Sequence, residues 1–277
     1  MPSPLLELLS TPIPEKLWHY TSVDAFLKIV KNKSVFATDV RFMNDREEFV
    51  HARQLVDEVV KKRPELDEEG FPAREFLAKA VALSFGIKAE VFVACFTAAE
   101  DQLGQWRAYS HGSAGVSLAF DLRNIRPPIE SGSAVCFAPC VYTSARKYEL
   151  LWDAIHHVRD EIASYRRDTF EEACKADPTK RTATDKEKVV TEFLKANPER
   201  QAPFERFAMS VARNRFDCLR VAALLKNSAF EEEKEWRLVL PTFLDQQQKM
   251  QNPPQFRAGR TTPIPYIDHR FGNRKGC

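Results

Sequence analysis

A chain of 277 residues is too long for a peptide scaffold; at roughly 150 residues per domain it fits two domains, or one domain with a large insertion. Its 44% hydrophobic and 29% charged residues suit a globular chain that buries a core without staples, which excludes wholesale disorder. A formal charge of +2, from 41 Lys and Arg against 39 Asp and Glu, is no nucleic-acid footprint unless a local patch exists. Nine glycines beside 20 Phe and 17 Pro exclude collagen-like or glycine-rich architecture, and neither a GxGxxG fingerprint nor a Walker loop occurs.

The chain opens on a short apolar patch, Leu5 to Leu9, broken by Glu7 and preceded by no basic residues, so no secretory signal is expected. The longest apolar runs, Val91 to Phe96 and Val221 to Leu225, are far short of the roughly 18 residues that span a bilayer. A soluble, cytoplasmic protein without membrane partners is expected, with its six scattered cysteines reduced and structural.

Leu17 to Tyr20 reads as a strand, and Thr21 or Ser22 as the cap of a helix in which Val23, Phe26, Leu27 and Val30 recur at helical spacing; Asp24 stands three after Thr21, as in a capping box. Val35 to Ala37 is a second strand, followed by the loop TDVRFMND and a helix from about Arg46 to Lys62. A helix over about Pro72 to Phe85 leads into the buried strand Glu90 to Phe96. Leu103, Trp106 and Tyr109 then lie three apart, as on a helix, before the alternating strand Gly115 to Phe120, and Ala134 to Tyr142 is another strand. Residues 144–210 are charged, lack strand patterning and carry the turn signals DPTK and NPER, so they read as a helical insertion in a single domain spanning 1–277. After the apolar CLRVAALLKNSAF come the strand EWRLVL and a short last strand ending in IPYI. Without regular βαβ alternation the expected class is α+β, with the strands carrying His19, Cys95 and Trp236 in one central sheet and the insertion outside it.

Several short patterns could carry chemistry. His19 and Tyr20 end the first strand and Thr21 opens a helix whose N-terminus favours an anionic ligand, although a hydrogen-bonded core histidine explains His19 as well. Asn44 and Asp45 in RFMND either face a cleft or cap the following helix, with Glu48 at capping-box spacing from Asp45. In WRAY an indole, a guanidinium and a phenol within one turn form either a stacking wall beside a phosphate-binding Arg107 or a core helix with a surface arginine. In AFEEEKEWRLVL, Glu233 and Glu235 alternate with Lys234, which would put two carboxylates on one strand face together with Arg237. Paired carboxylates can polarise a sugar hydroxyl or stabilise an oxocarbenium ion, or they can be an acidic turn guarding a strand. Cys136 and Cys140 lack a histidine pair, and the adjacent His156 and His157 diverge by about 100° on a helix, so no metal site is expected.

Taken in order, HYT, FMND with a following Glu, CFT, WRAYS, KNSAFEEEKEWR and IPYI resemble a bacterial domain-of-unknown-function family, number 2971, over about residues 17 to 268. That family is in turn similar to the ADP-ribosyltransferase fold of the histidine, tyrosine and glutamate type. The resemblance implies a central mixed sheet with flanking helices and NAD as substrate. It implies that His19 binds the adenine-side ribose, that Tyr109 stacks on nicotinamide and that Glu235 is catalytic with Glu233 in support. Tyr20, Thr21, Trp106, Arg107, Arg41 and Asn44 are then candidates for further cofactor contacts. A carboxylate near the 2′-hydroxyl stabilises the cationic, sugar-centred transition state by which nicotinamide leaves. The tail departs from the family, whose members continue past PYI with a strand ending in Gly-Pro and a closing helix, so a short sheet edge is expected here.

The function expected is therefore an NAD-dependent ADP-ribosyltransferase or NAD glycohydrolase, a toxin or phage-defence effector whose acceptor is a protein, a nucleic acid or water. The alternative is a non-catalytic nucleotide- or nucleic-acid-binding module that holds its partner through basic residues of the insertion, Arg166, Arg167, Lys180 and Arg181; a third reading is a purely structural domain.

Overall fold

The computed structural model describes residues 3–43, 46–62, 90–109, 114–123, 135–165, 183–201, 216–242, 253–259 and 261–270. The expected helix at Pro72 to Phe85, the residues Asn44 and Asp45, and the basic residues Arg166, Arg167, Lys180 and Arg181 lie outside the described residues.

Among the described residues eight strands build one sheet: β1 (Leu17–Ser22), β2 (Ser34–Asp39), β3 (Glu90–Thr97), β4 (Gly115–Phe120), β5 (Cys136–Pro139), β6 (Glu235–Thr242), β7 (Gln255–Arg257) and β8 (Ile264–Arg270). The named pairs are antiparallel, and the parallel pairing among the described residues is the isolated bridge Val141 to Leu225. The class is α+β, a sheet curled into a half-barrel with several helices, and His19, Cys95 and Trp236 sit on three of its strands as the sequence predicts.

β3 is the junction. One edge pairs with β6 along its whole length, from Glu90 opposite Thr242 to Thr97 opposite Glu235, and β5 continues the sheet beyond β6. The other edge is shared by two strands: β1 meets it at Thr97 through Trp18, and β2 meets it at Val93 and Phe92 through Thr38 and Asp39. Among the described residues, 94 to 96 therefore have no strand partner on that edge, and β1 and β2, both antiparallel to β3, diverge on either side of the gap. Helix α2 (Val23–Asn32) connects them.

Local chemistry sets the connection. The hydroxyl of Ser22 accepts the Ala25 N–H at 3.3 Å, so Ser22 is the cap and the Thr21 to Asp24 spacing is not used. Lys33, at φ 52°, closes the helix in the left-handed conformation. Ile29 is the buried residue of α2, whereas Val23, Leu27 and Val30 are 41 to 58% exposed among the described residues. Ser22→Ala is expected to cost about 1 kcal/mol, read as a lower urea midpoint at unchanged slope.

Strand alternation gives the sheet two apolar faces. Phe92, Ala94 and Phe96 of β3 join Trp236, Leu238 and Leu240 of β6 and Leu17 of β1 in one cluster. Val91, Val93 and Val239 face the other way, toward α1 (Pro4–Leu9), α3 (Arg46–Lys61), α5 (Ser144–Tyr165) and the helix at 216–224. The short helix between β3 and β4 is α4 (Leu103–Tyr109), and α6 (Ala183–Ala196) follows α5. The described part of 144–210 is helical and off the sheet, but α5 is more than a charged appendage. Its Leu150, Leu151, Ala154 and Ile155 are at most 1% exposed within that core, and Asp153 Oδ2 accepts the Leu5 N–H at 2.9 Å to tie α1 down.

The tail does not leave a bare edge at β8, which pairs with β2 on one side and β7 on the other. A β carbon at Gly259 would lie 2.3 Å from the Thr262 carbonyl oxygen, so only glycine lets β7 return onto β8.

Candidate functional site

The gap on the β3 edge opens into a cleft of about 990 Å³, at the upper end of the range for small-molecule sites. It brings together His19, Tyr20 and Thr21 from β1, Tyr109 from the end of α4, Glu233 from the turn before β6 and Glu235 from the start of β6. These residues come from three regions of the chain that the β3 junction holds side by side.

His19 lies in the gap itself, its Nδ1 2.8 Å from the carbonyl oxygen of Cys95, a residue without a strand partner there. A carbonyl can only accept, so Nδ1 carries the proton and Nε2 is left as an acceptor. Burial lowers the His19 pKa below 6.5, against a smaller upward pull from the Cys95 carbonyl, so the ring is neutral at pH 7. His19 is thus both a hydrogen-bonded strand histidine and a lining residue of the cleft.

Tyr20 is largely buried; its hydroxyl accepts the Gln102 N–H at 3.0 Å and its ring meets Trp106 edge-on at 4.9 Å. Trp106 in turn donates to Asp101 at 2.9 Å. Trp106 and Arg107 do not line the cleft, and the buried position of α4 is Gln105, which does. Tyr109 is 38% exposed at the cleft edge. Arg41 also stays out of the cleft, turned toward Asp39 at 3.0 Å and Glu90 at 3.3 Å.

The acidic segment does not run as one strand. Ser228–Glu233 is a 3₁₀ turn capped by Asn227, whose side chain accepts the Ala229 N–H at 3.0 Å, and Lys234 reverses the chain at φ 42° before β6 begins. Glu233 therefore stands in the turn and Glu235 on the strand, and what joins them is Lys226. Its ammonium lies 2.6 Å from Glu233 Oε2 and also contacts Glu235 Oε2. Arg237, two residues along the same strand face, donates from Nε to Glu235 Oε1 at 2.8 Å and from Nη1 to the Ala223 carbonyl at 2.8 Å. Glu235 is thus held by two cations at 4% exposure, and the four charges sum to zero.

Burial alone would raise the Glu235 pKa. The charges of Arg237 and Lys226, with the hydrogen bond from Arg237, overturn that and hold it to about 2. Burial beside the Glu235 charge pushes the Cys95 thiol up, so Cys95 is a neutral wall of the cleft rather than a nucleophile.

Three lining residues escape a reading by sequence. Lys226 is the cation that couples the two glutamates. Tyr142, from the loop after β5, accepts the Glu235 backbone N–H at 2.8 Å, and burial raises its pKa so that it stays a phenol. Arg257 of β7 reaches the cleft and donates to Thr38 Oγ1 at 3.0 Å. Tyr142 and Arg257 sit in no recognisable motif; Lys226 opens KNSAFEEEKEWR, where its charge, opposite to that of the glutamates, was the local signal. Among the described residues no cluster of His, Cys, Asp and Glu could hold a metal ion, and no helix is long and apolar enough to cross a membrane.

No curated protein and no solved structure matches this chain. A family model does, over a stretch that takes in WRAYS and KNSAFEEEKEWR but not HYT, FMND, CFT or IPYI. Residues 105–238, from the buried Gln105 of α4 to Leu238 of β6 and so including Tyr109, Tyr142, Lys226 and both glutamates of the cleft, match the family described as protein of unknown function DUF2971.

Proposed function

We propose that the cleft takes NAD and breaks its nicotinamide–ribose bond, as an ADP-ribosyltransferase or NAD glycohydrolase. The observation that carries this reading is that His19, Tyr109 and Glu235, from three separate regions of the chain, line one cleft of about 990 Å³. The bond broken joins ribose C1′ to the nicotinamide nitrogen, and its electron pair leaves with nicotinamide. The sugar left behind is cationic and is captured by water or by a nucleophile of a protein or nucleic acid. A carboxylate that never protonates in the physiological range, as a pKa of about 2 requires, suits the stabilisation of that cation better than it suits a proton donor. The neutral His19 offers Nε2 to a ribose hydroxyl, and Tyr109 at the rim offers a ring to nicotinamide. An effector role, in toxicity or phage defence, follows from such chemistry because depleting NAD or modifying a macromolecule disables a cell.

One observation favours a second reading, a nucleotide- or nucleic-acid-binding module without catalysis. Lys226 and Arg237 already compensate the Glu235 charge, which leaves less of it for a cationic sugar. Nicotinamide release and NAD affinity, measured on wild type and Tyr109→Ala, separate the two. Loss of the stacking ring is expected to weaken binding or turnover about tenfold or more, on the order of 1.4 kcal/mol. Unchanged affinity and rate in the folded variant remove Tyr109 from the site, and a wild type that binds NAD but releases no nicotinamide is the binding module.

A further inference from the structure

Resting on the reading of the cleft as a nucleotide site, we infer that Arg257, oriented by Thr38, is its phosphate-binding residue. The inference starts from a contrast between Arg257 and five other arginines. Arg41, Arg123, Arg146, Arg220 and Arg237 each meet a carboxylate within 4 Å. Arg257 lines the cleft, and among the described residues its partner is a neutral hydroxyl, Thr38 Oγ1, at 3.0 Å.

An arginine keeps its charge at any physiological pH, and a guanidinium facing a cleft favours an anion there. Arg257 is an exposed residue of β7, and the partial desolvation of its guanidinium beside the cleft lowers its pKa, against an opposing pull from Tyr266. The hydroxyl occupies one of five N–H donors and fixes the side chain, and the planar fork that remains matches two oxygens of a phosphate.

The backbone holds this group in place from both directions. β7 is pinned to β8 with Gln255 opposite Tyr266 and Arg257 opposite Ile264, and the tight turn at Gly259 leaves it no slack. Thr38 belongs to β2, where it pairs with Val93 of β3 on one side and Tyr266 of β8 on the other. Arg257 thus enters from the β2 side of the gap, whereas His19 enters from the β1 side. That separation places the anion's subsite across the gap from the sugar-binding histidine, as a ligand carrying both a ribose and a phosphate requires.

The test is calorimetric titration of the full chain with ADP, adenosine and inorganic pyrophosphate, on wild type, Arg257→Gln and Thr38→Val, with nicotinamide release from NAD followed in parallel. Losing a charge-assisted bond pair is expected to weaken ADP about tenfold to a hundredfold in Arg257→Gln while adenosine changes less than about twofold. Thr38→Val, which keeps the side-chain shape and the cation, is expected to weaken ADP by about fivefold. Pyrophosphate is expected to displace ADP from wild type and to fail against Arg257→Gln. Equal weakening of ADP and adenosine, no change in either variant, or a wild type that takes none of the phosphorylated probes overturns the assignment. The two readings fail separately. ADP discrimination without nicotinamide release keeps Arg257 and ends the cleavage reading. Nicotinamide release with ADP affinity indifferent to Arg257→Gln ends the phosphate site and leaves cleavage standing.

Discussion

Glu235→Gln is expected to lower nicotinamide release by roughly a hundredfold to a thousandfold, and also to destabilise the fold by about 3 kcal/mol. The first effect follows from the proposed chemistry: glutamine keeps the size and one acceptor but removes the charge that stabilises a cationic sugar. The second follows from the ion cluster. On sequence grounds Glu235 could be exchanged with the fold intact, and a partnership with Arg237 on the surface would contribute no more than about 1 kcal/mol. The partnership is instead buried, at 4 and 2% exposure, so removing the anion takes from Arg237 and Lys226, in low dielectric, the carboxylate they share, while Glu233 stays on Lys226.

The pH dependence distinguishes the two effects. The folded-state pKa of about 2 lies below the ordinary 4.5, so the stability Glu235 contributes is fully present above pH 4.5 and is lost as pH falls toward 2. The difference corresponds to a contribution on the order of 3 kcal/mol at neutral pH. Unfolding free energies from urea titrations between pH 7 and 2 are expected to show a steep acid limb in wild type and a flatter one in Glu235→Gln. Parallel limbs would mean that Glu235 is not the group titrating. Glu233, whose side chain is 24% exposed and whose one cation among the described residues is Lys226, is expected to be the milder site for the same substitution in both rate and stability.

Arg237→Met is expected to cost about 3 to 5 kcal/mol, the scale for breaking a buried ion pair from one side. It leaves Lys226 as the one cation on Glu235 among the described residues and takes the donor away from the Ala223 carbonyl. Adding Glu235→Gln to this variant removes the stranded anion, so the double variant is expected to be more stable than the sum of the single costs by at least about 1 kcal/mol. Thermal or urea unfolding of the four proteins measures that coupling, and additive costs would mean that the two side chains do not depend on one another.

How much of this was legible in the sequence differs by element. The periods of two and of 3.6 placed β1, β3, β4, β6, α3 and α4 within a residue or two, because each is fixed by its own apolar spacing and by turn residues beside it. The motifs carrying His19, Tyr109 and Glu235 were also legible, since each is a compact run of unusual residue types. Less legible was the state of those residues. Nothing local says that Arg237 and Lys226 both close on Glu235, because Lys226 is nine residues away across a 3₁₀ turn and the bridge exists only once Lys234 reverses the chain. Arg41 and Trp106 were equally plausible as ligands on residue type alone; the partners that hold them elsewhere, Asp39 and Glu90 for the first and Asp101 for the second, become decisive only at their real distances.

The sequence by itself determined most of the described elements, the α+β class and the residue types available for chemistry, since these depend on short-range periodicity and composition; it did not show α1 or β7, and it ended the last strand at Ile267 where β8 runs on to Arg270. The tertiary structure alone decided where the cleft is. It opens because β1 and β2 share one edge of β3 and diverge around residues 94 to 96, a consequence of pairings between residues 53 to 79 apart. It also decided that Tyr142, Lys226 and Arg257 join the site, since long-range strand pairing and burial, not neighbouring residues, set which side chains face one another and which charges must find a partner.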